Sequence, residues 1–142
     1  MTEKPTRGRP RRADADAAII DAARDLLREG GYRALSLDEV GRRAGAAKTS
    51  IYRRWKSKAA LAAEIVQREV PPPDNDVDRE RAVRAFEELL NGPFGSVVAS
   101  LIGEAQENDD TSAIVTALLA PYRERADDSD LGTILLRKLL GP

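Results

Sequence analysis

The sequence predicts an all-α chain. Apolar residues recur three and four positions apart in one stretch after another, the spacing that places them on one face of a helix. Glycine and proline punctuate those stretches at Gly30-Gly31, at Pro71 to Pro73 and at "NGP" (Asn91 to Pro93). No stretch alternates apolar and polar residues with the period of two that a half-buried strand requires.

Each element has a local reason. Residues 1–13, "MTEKPTRGRPRRA", have little to bury and predict a flexible arm. Asp14 or Asp16 caps a first helix to Glu29, with Ile19, Ile20, Ala23, Leu26 and Leu27 on its inner face, and Gly30-Gly31 ends it. Ser36-x-x-Glu39 is a capping box opening a short helix through Ala44, with Leu37, Val40 and Ala44 facing inward, and Gly45 breaks it. A third helix covers about Ala47 to Trp55. Ser57 caps a fourth from Lys58 to Glu69 that buries Leu61, Ile65 and Val66, and "PPPDND" (Pro71 to Asp76) stops it. Helices over Asp78–Asn91, Phe94–Gln106, Ser112–Arg125 and Leu131–Leu140 follow. Asp109-Asp110 and Asp127-Asp128 read as solvated loops and caps between them. The resulting division is a basic arm (1–13), a helix-turn-helix unit (14–57), a connecting helix (58–70), a linker (71–77) and a C-terminal helical unit (78–142).

The net charge of −1 conceals a split. Residues 1–70 hold 16 Lys and Arg against 10 Asp and Glu, whereas residues 71–142 hold 7 against 14. A cationic module joined to an acidic one attracts polyanions at one end. With no Cys and no His, disulfides, nucleophilic triads and the commonest metal ligands are absent, and no cofactor or metal is expected. No apolar run is long enough to span a bilayer, no secretory signal opens the chain, and the cytoplasm is the expected compartment.

The cationic module has a specific shape. A short helix, a glycine turn and a second short helix (Leu37 to Trp55) form a helix-turn-helix pattern, whose second helix can enter a major groove of DNA. Lys48, Thr49 and Ser50 stand at its start as short donors and acceptors, and Ile51 anchors it to the helices beneath. Tyr52, Arg53, Arg54 and Lys56 point outward as phosphate-seeking groups. Trp55 can pack at the seam and offers an indole N–H. Ser57 and Lys58 start a helix whose free amides and dipole favour an anion, and Ser36, the cap before the turn, is a further DNA-binding candidate. "RGRPRR" supplies Arg7, Arg9, Arg11 and Arg12, which suit a narrow A/T-rich minor groove, with Gly8 and Pro10 keeping the segment extended.

The stretch "LSLDEVGRRAGAAKTSIYRRWKSKAAL" resembles the DNA-binding region of the TetR family of bacterial repressors. Ala44-Gly45, Lys48, Ser50, Ile51-Tyr52, Trp55 and Ser57-Lys58 carry the match, and "AIIDAARDLLREGGYRALSL" resembles the family's first helix and its exit. The resemblance is specific over residues 15–66. It implies that Lys48, Thr49, Ser50, Tyr52 and Arg53 face DNA, with Tyr52 and Lys58 chiefly on phosphates. Ala46 stands where the family usually has Val, and Ala47 where a Ser commonly caps the recognition helix.

In the C-terminal half, the apolar stripes read first as core. The resemblance implies an effector pocket there, with Phe86, Leu89, Phe94, Val97, Val98, Leu101 and Leu118 as candidates, and a homodimer interface, with Leu131, Ile134, Leu135, Leu139 and Leu140 as candidates. It further implies a longer C-terminal half, so that residues are expected to be missing between Arg125 and Ala126 and beyond Pro142. The function these readings point to is a transcriptional regulator, a ligand-responsive repressor that binds a palindromic operator in double-stranded DNA as a homodimer, and not an enzyme. Two alternatives stand beside it: an architectural protein on A/T-rich DNA, and a helical-bundle carrier or enzyme whose basic face is incidental.

Overall fold

The computed structural model describes residues 9–141, with side chains from residue 13 onward, and among them every regular element is a helix. In chain order these are α1 (Arg9–Ala34), α2 (Leu37–Ala44), α3 (Lys48–Arg54), α4 (Lys58–Glu69), α5 (Arg79–Asn91), α6 (Gly95–Ala105), α7 (Asp109–Arg123) and α8 (Asp128–Leu140). None is long and apolar enough to cross a membrane.

The helix boundaries follow from side-chain caps. Ser36, Ser57, Asp78, Asn108 and Asp127 each accept a hydrogen bond from the backbone N–H three residues on, satisfying one of the free donors of the first turn. Gly30 and Gly31, expected to end the first helix, break it with non-helical backbone, Gly31 at φ 72°, and a further turn follows. The single turn after the kink brings Tyr32 and Leu35 back onto the core.

One continuous apolar core runs from Ile19 on α1 to Ile134 on α8. α1 packs on α2, α4 and α6, while α4 also reaches α6 and α7, so the N-terminal helices rest directly on the C-terminal ones. α5 lies against α6, α7 and α8.

The structure departs from sequence expectation in several places. α1 begins at Arg9, so Pro10 does not hold its segment extended. In the first turn a proline forfeits no hydrogen bond and its fixed φ suits the helix. Arg7 and Gly8 lie outside the described residues, as do the side chains of Arg9, Arg11 and Arg12. α7 starts at Asp109 rather than Ser112, because Asn108 caps it and Asp109 and Asp110 complement the dipole of its first turn. α8 likewise gains a turn from its Asp127 cap. After α7 the backbone N–H groups of Arg125 and Ala126 both donate to the Tyr122 carbonyl, and Ala126 is buried.

The candidate pocket residues are buried. Phe86, Leu89, Phe94, Val97, Val98, Leu101 and Leu118 are each at most 4% exposed, and the Phe86 ring packs on that of Tyr122 at 5.5 Å. Helical periodicity marks an inward face but does not distinguish a packed interior from a lined cavity. A concavity of about 250 Å³ lies elsewhere, under the proline linker between Val70, Val77, Ala85 and Tyr122. Among the candidate interface residues, Leu131 and Ile134 are buried within the monomer and Leu135 is half-buried. The apolar surface that remains exposed is Leu136, Leu139 and Leu140.

Candidate nucleic-acid interface

The α2–α3 turn is built on two glycines. Gly45 ends α2 in the left-handed region (φ 65°) and donates its N–H to the Gly41 carbonyl, which also accepts from Ala46 N–H. A side chain at Gly41 would place Cβ 2.8 Å from the Ala46 carbonyl oxygen, so this turn closes only over glycine. The tight turn sets α3 across α2, and Ile51, fully buried, fixes it there.

α3 starts without a side-chain cap, since Ala47 has nothing to accept with. The N–H groups of its first turn, at Lys48 and Thr49, are therefore left to an external acceptor. Lys48, Thr49 and Ser50 are exposed at this end, and Tyr52 is 42% exposed one turn on.

The folded chain brings four of the expected residues together. Ser36, Lys48, Tyr52 and Lys58 line one open groove of about 390 Å³, joined by Leu37, Asp38, Lys56 and Ser57. The start of α4 faces it, with Ser57 Oγ accepting from Ala60 N–H at 3.1 Å. Lys58 Nζ lies 4.2 Å from the centroid of the Tyr32 ring, which steadies a flexible cation by its π-face. Arg53 and Lys56 are exposed, within and just beyond α3.

One candidate is buried by the fold, and a second is exposed but paired with α1. Trp55 is 3% exposed, and its indole N–H donates to Glu64 Oε1 at 2.8 Å, so it is spent on joining α3 to α4. Arg54 turns back onto α1: its Nε donates to Asp16 Oδ2 at 3.0 Å and its guanidinium stacks 5.1 Å from the Trp55 ring. An aromatic with a polar handle seeks a partner when buried, and a planar guanidinium stacks on it.

Two arginines of α2 are paired with acids of the scaffold. Arg42 and Arg43 both donate to Glu39, and Arg43 also makes a two-pronged bond to Glu29 on α1 at 2.8 and 2.9 Å. These bonds, from Arg42 first and then Arg43, lower the Glu39 carboxyl to about 2. Lys48 Nζ pairs with Asp38 Oδ1 at 2.8 Å across the turn, which raises the lysine's pKa. Asp38 is the groove residue that sequence reasoning overlooked. Its signal was available: it is an exposed acid in the first turn of α2, two residues after the Ser36 cap.

A helix presented by a glycine turn, with an uncapped amide end and cations on both flanks, is suited to phosphates and base edges of a duplex. The comparisons with known proteins agree. Residues 19–65 match the family model for bacterial regulatory proteins, tetR family. The HTH-type transcriptional regulator YdeS of Bacillus subtilis is 35% identical over 107 residues, 70% of this chain and 54% of that one. The DNA-binding transcriptional repressor TetR of Mycobacteroides abscessus is 47% identical over 45 residues, 32% of this chain and 24% of that one. The crystal structure of the TetR family transcription regulator SCO0332 superposes with a TM-score of 0.62 at 26% identity, covering 91% of this chain and 89% of that one. The chain thus spans about half the length of YdeS.

Proposed function

We propose that this chain, which belongs to the TetR family of bacterial regulatory proteins, is a DNA-binding transcriptional repressor that holds a palindromic operator as a homodimer and releases it when a small ligand binds. The observation that carries this reading is the groove in which Ser36, Lys48, Tyr52 and Lys58 converge beside the uncapped start of α3. Lys56, Lys58, Arg53 and Tyr52 serve phosphates, which set register and affinity, and Lys48, Thr49 and Ser50 serve base edges, which set sequence. The exposed Leu136, Leu139 and Leu140 support self-association through α8, since a helix end this apolar is poorly suited to water.

The rest of the mechanism is geometric. Two recognition helices must lie about 34–36 Å apart to meet successive major grooves. A ligand that binds better to a dimer of different spacing weakens operator binding by the difference in its affinity for the two states.

The test is selection of genomic DNA fragments with purified protein, followed by footprinting. The expected result is a defined palindrome protected on both half-sites. A broad A/T preference without a palindrome, or no binding even at low salt, overturns the proposal.

A further inference from the structure

We infer that Asp38 is a specificity-determining residue of the groove, anchoring Lys48 at the start of the recognition helix and turning phosphate away from it. The inference rests on the DNA-binding reading above and deepens it. Asp38 is the single carboxylate among the described residues that line the groove, which it shares with Ser36 and Lys48. Its pair with Lys48 spans α2 and α3 at 2.8 Å, with both side chains more than half exposed, so both stay accessible to a ligand in the groove.

Three other acids of this module behave differently. Glu29 and Glu39 hold Arg43, and Asp16 holds Arg54, each tying an arginine to the scaffold away from the groove. Asp38 holds a groove cation instead. As an acid in the first turn of α2 it also complements the helix dipole, but Glu39 already supplies that turn with a carboxylate. A carboxylate facing a polyanion weakens binding unless it meets a donor.

Base edges provide such donors. The exocyclic amino group of cytosine presents N–H to a carboxylate in the major groove, and guanine O6 and N7 accept from a lysine. A Lys48–Asp38 pair held at fixed separation therefore offers a donor and an acceptor together to neighbouring bases. On DNA of the wrong sequence the carboxylate meets no donor and the ammonium is already neutralised, so the pair adds nothing to phosphate attraction. Non-specific binding is almost wholly that attraction. Asp38 thus lowers affinity for random DNA while contributing to the operator.

The experiment compares wild type, Asp38→Asn and Asp38→Glu on the duplex recovered by genomic selection and on a scrambled duplex of equal length, at two salt concentrations. Thermal unfolding is measured alongside. For Asp38→Asn, affinity for the scrambled duplex rises about two- to fivefold, the range of an exposed charge pair. The salt dependence on that duplex steepens by up to about 0.9 as Lys48 becomes free for a phosphate. Affinity for the selected duplex stays level or falls, so the ratio of the two affinities drops, and Asp38→Glu restores it. An equal change on both duplexes, or a shift in melting temperature alone, overturns the inference while leaving DNA binding intact. Failure of wild type to bind either duplex at low salt overturns the underlying reading and the inference together.

Discussion

The Tyr32 hydroxyl donates to both carboxylate oxygens of Glu104, at 3.0 and 3.2 Å, across 72 positions of sequence. Thr111 Oγ1, itself buried, donates to the same carboxylate at 2.6 Å, so one acid on α6 ties the exit of α1 to the start of α7. The face of the same Tyr32 ring carries Lys58, a groove residue. The seam between the N-terminal and C-terminal helices is thereby connected to the groove through a single side chain.

Tyr32→Phe keeps the ring and removes the donor, and should cost about 1.5–3 kcal/mol, the usual worth of a hydrogen bond to a charged group. Glu104→Ala should cost more, because it strands both the Tyr32 and the Thr111 hydroxyls. Burial first, then the bond to Glu104, raises the Tyr32 phenol above its ordinary value of 10.0. A raised value means that the neutral form is favoured on folding. That stability is fully present below pH 10 and is lost as pH climbs beyond it. Urea unfolding of the variants and of wild type across alkaline pH checks all three statements.

Acid should reach Glu39 late. Its carboxyl is lowered from 4.5 to about 2 by hydrogen bonds from Arg42 and Arg43. A lowered value stabilises the fold above pH 4.5, and the contribution is lost as pH falls towards 2. The carboxyl carbon shift of Glu39, followed by NMR, should titrate with a midpoint near the lower value. A midpoint at 4.5 contradicts the arginine clamp.

The two glycines of the turn should fail in different ways. At Gly45 nothing lies within 4 Å of an added Cβ, so Gly45→Ala costs only the left-handed backbone, about 1–2 kcal/mol. At Gly41 the added Cβ would lie 2.8 Å from the Ala46 carbonyl, so Gly41→Ala must open the turn and displace α3. Gly41→Ala is therefore expected to weaken binding to selected and scrambled DNA more than its loss of stability accounts for, and Gly45→Ala is not. Binding titrations below each variant's unfolding range separate the two.

The exposed end of α8 has its own test. Replacing Leu139 and Leu140, which are 55% and 81% exposed, with Glu removes no core contact. If that surface pairs two copies, light scattering at micromolar concentration shows a dimer for wild type and a monomer for the variant, with unchanged monomer helicity. A monomeric wild type contradicts the palindromic reading.

Much of this architecture was legible from local chemistry. Ser36 and Ser57 cap where their spacing to the next apolar face requires, Gly30-Gly31 interrupts the first helix, and Ile51 anchors α3, because each depends on neighbours within one turn. What escaped depends on distance. The Trp55–Glu64 bond, the Asp16–Arg54 pair and the Tyr32–Glu104 bond join residues whose proximity only the packed helices create. Leu131 and Ile134 share an apolar face with a surface leucine, and period alone does not tell which part of that face meets the monomer's own core. At Pro10 the sequence signal was ambiguous, since proline both opens helices and extends arms.

The most direct measurement of the central claim divides the groove into residues that hold DNA and residues that read it. Lys58→Ala and Thr49→Ala are titrated against the selected duplex and a scrambled one at two salt concentrations. Lys58→Ala should weaken both duplexes alike and flatten the salt dependence by about 0.9, one phosphate's share. Thr49→Ala should cost about 1–3 kcal/mol on the selected duplex and little on the scrambled one. If the wild-type protein binds DNA and neither substitution alters that binding, the duplex lies on another face of the molecule.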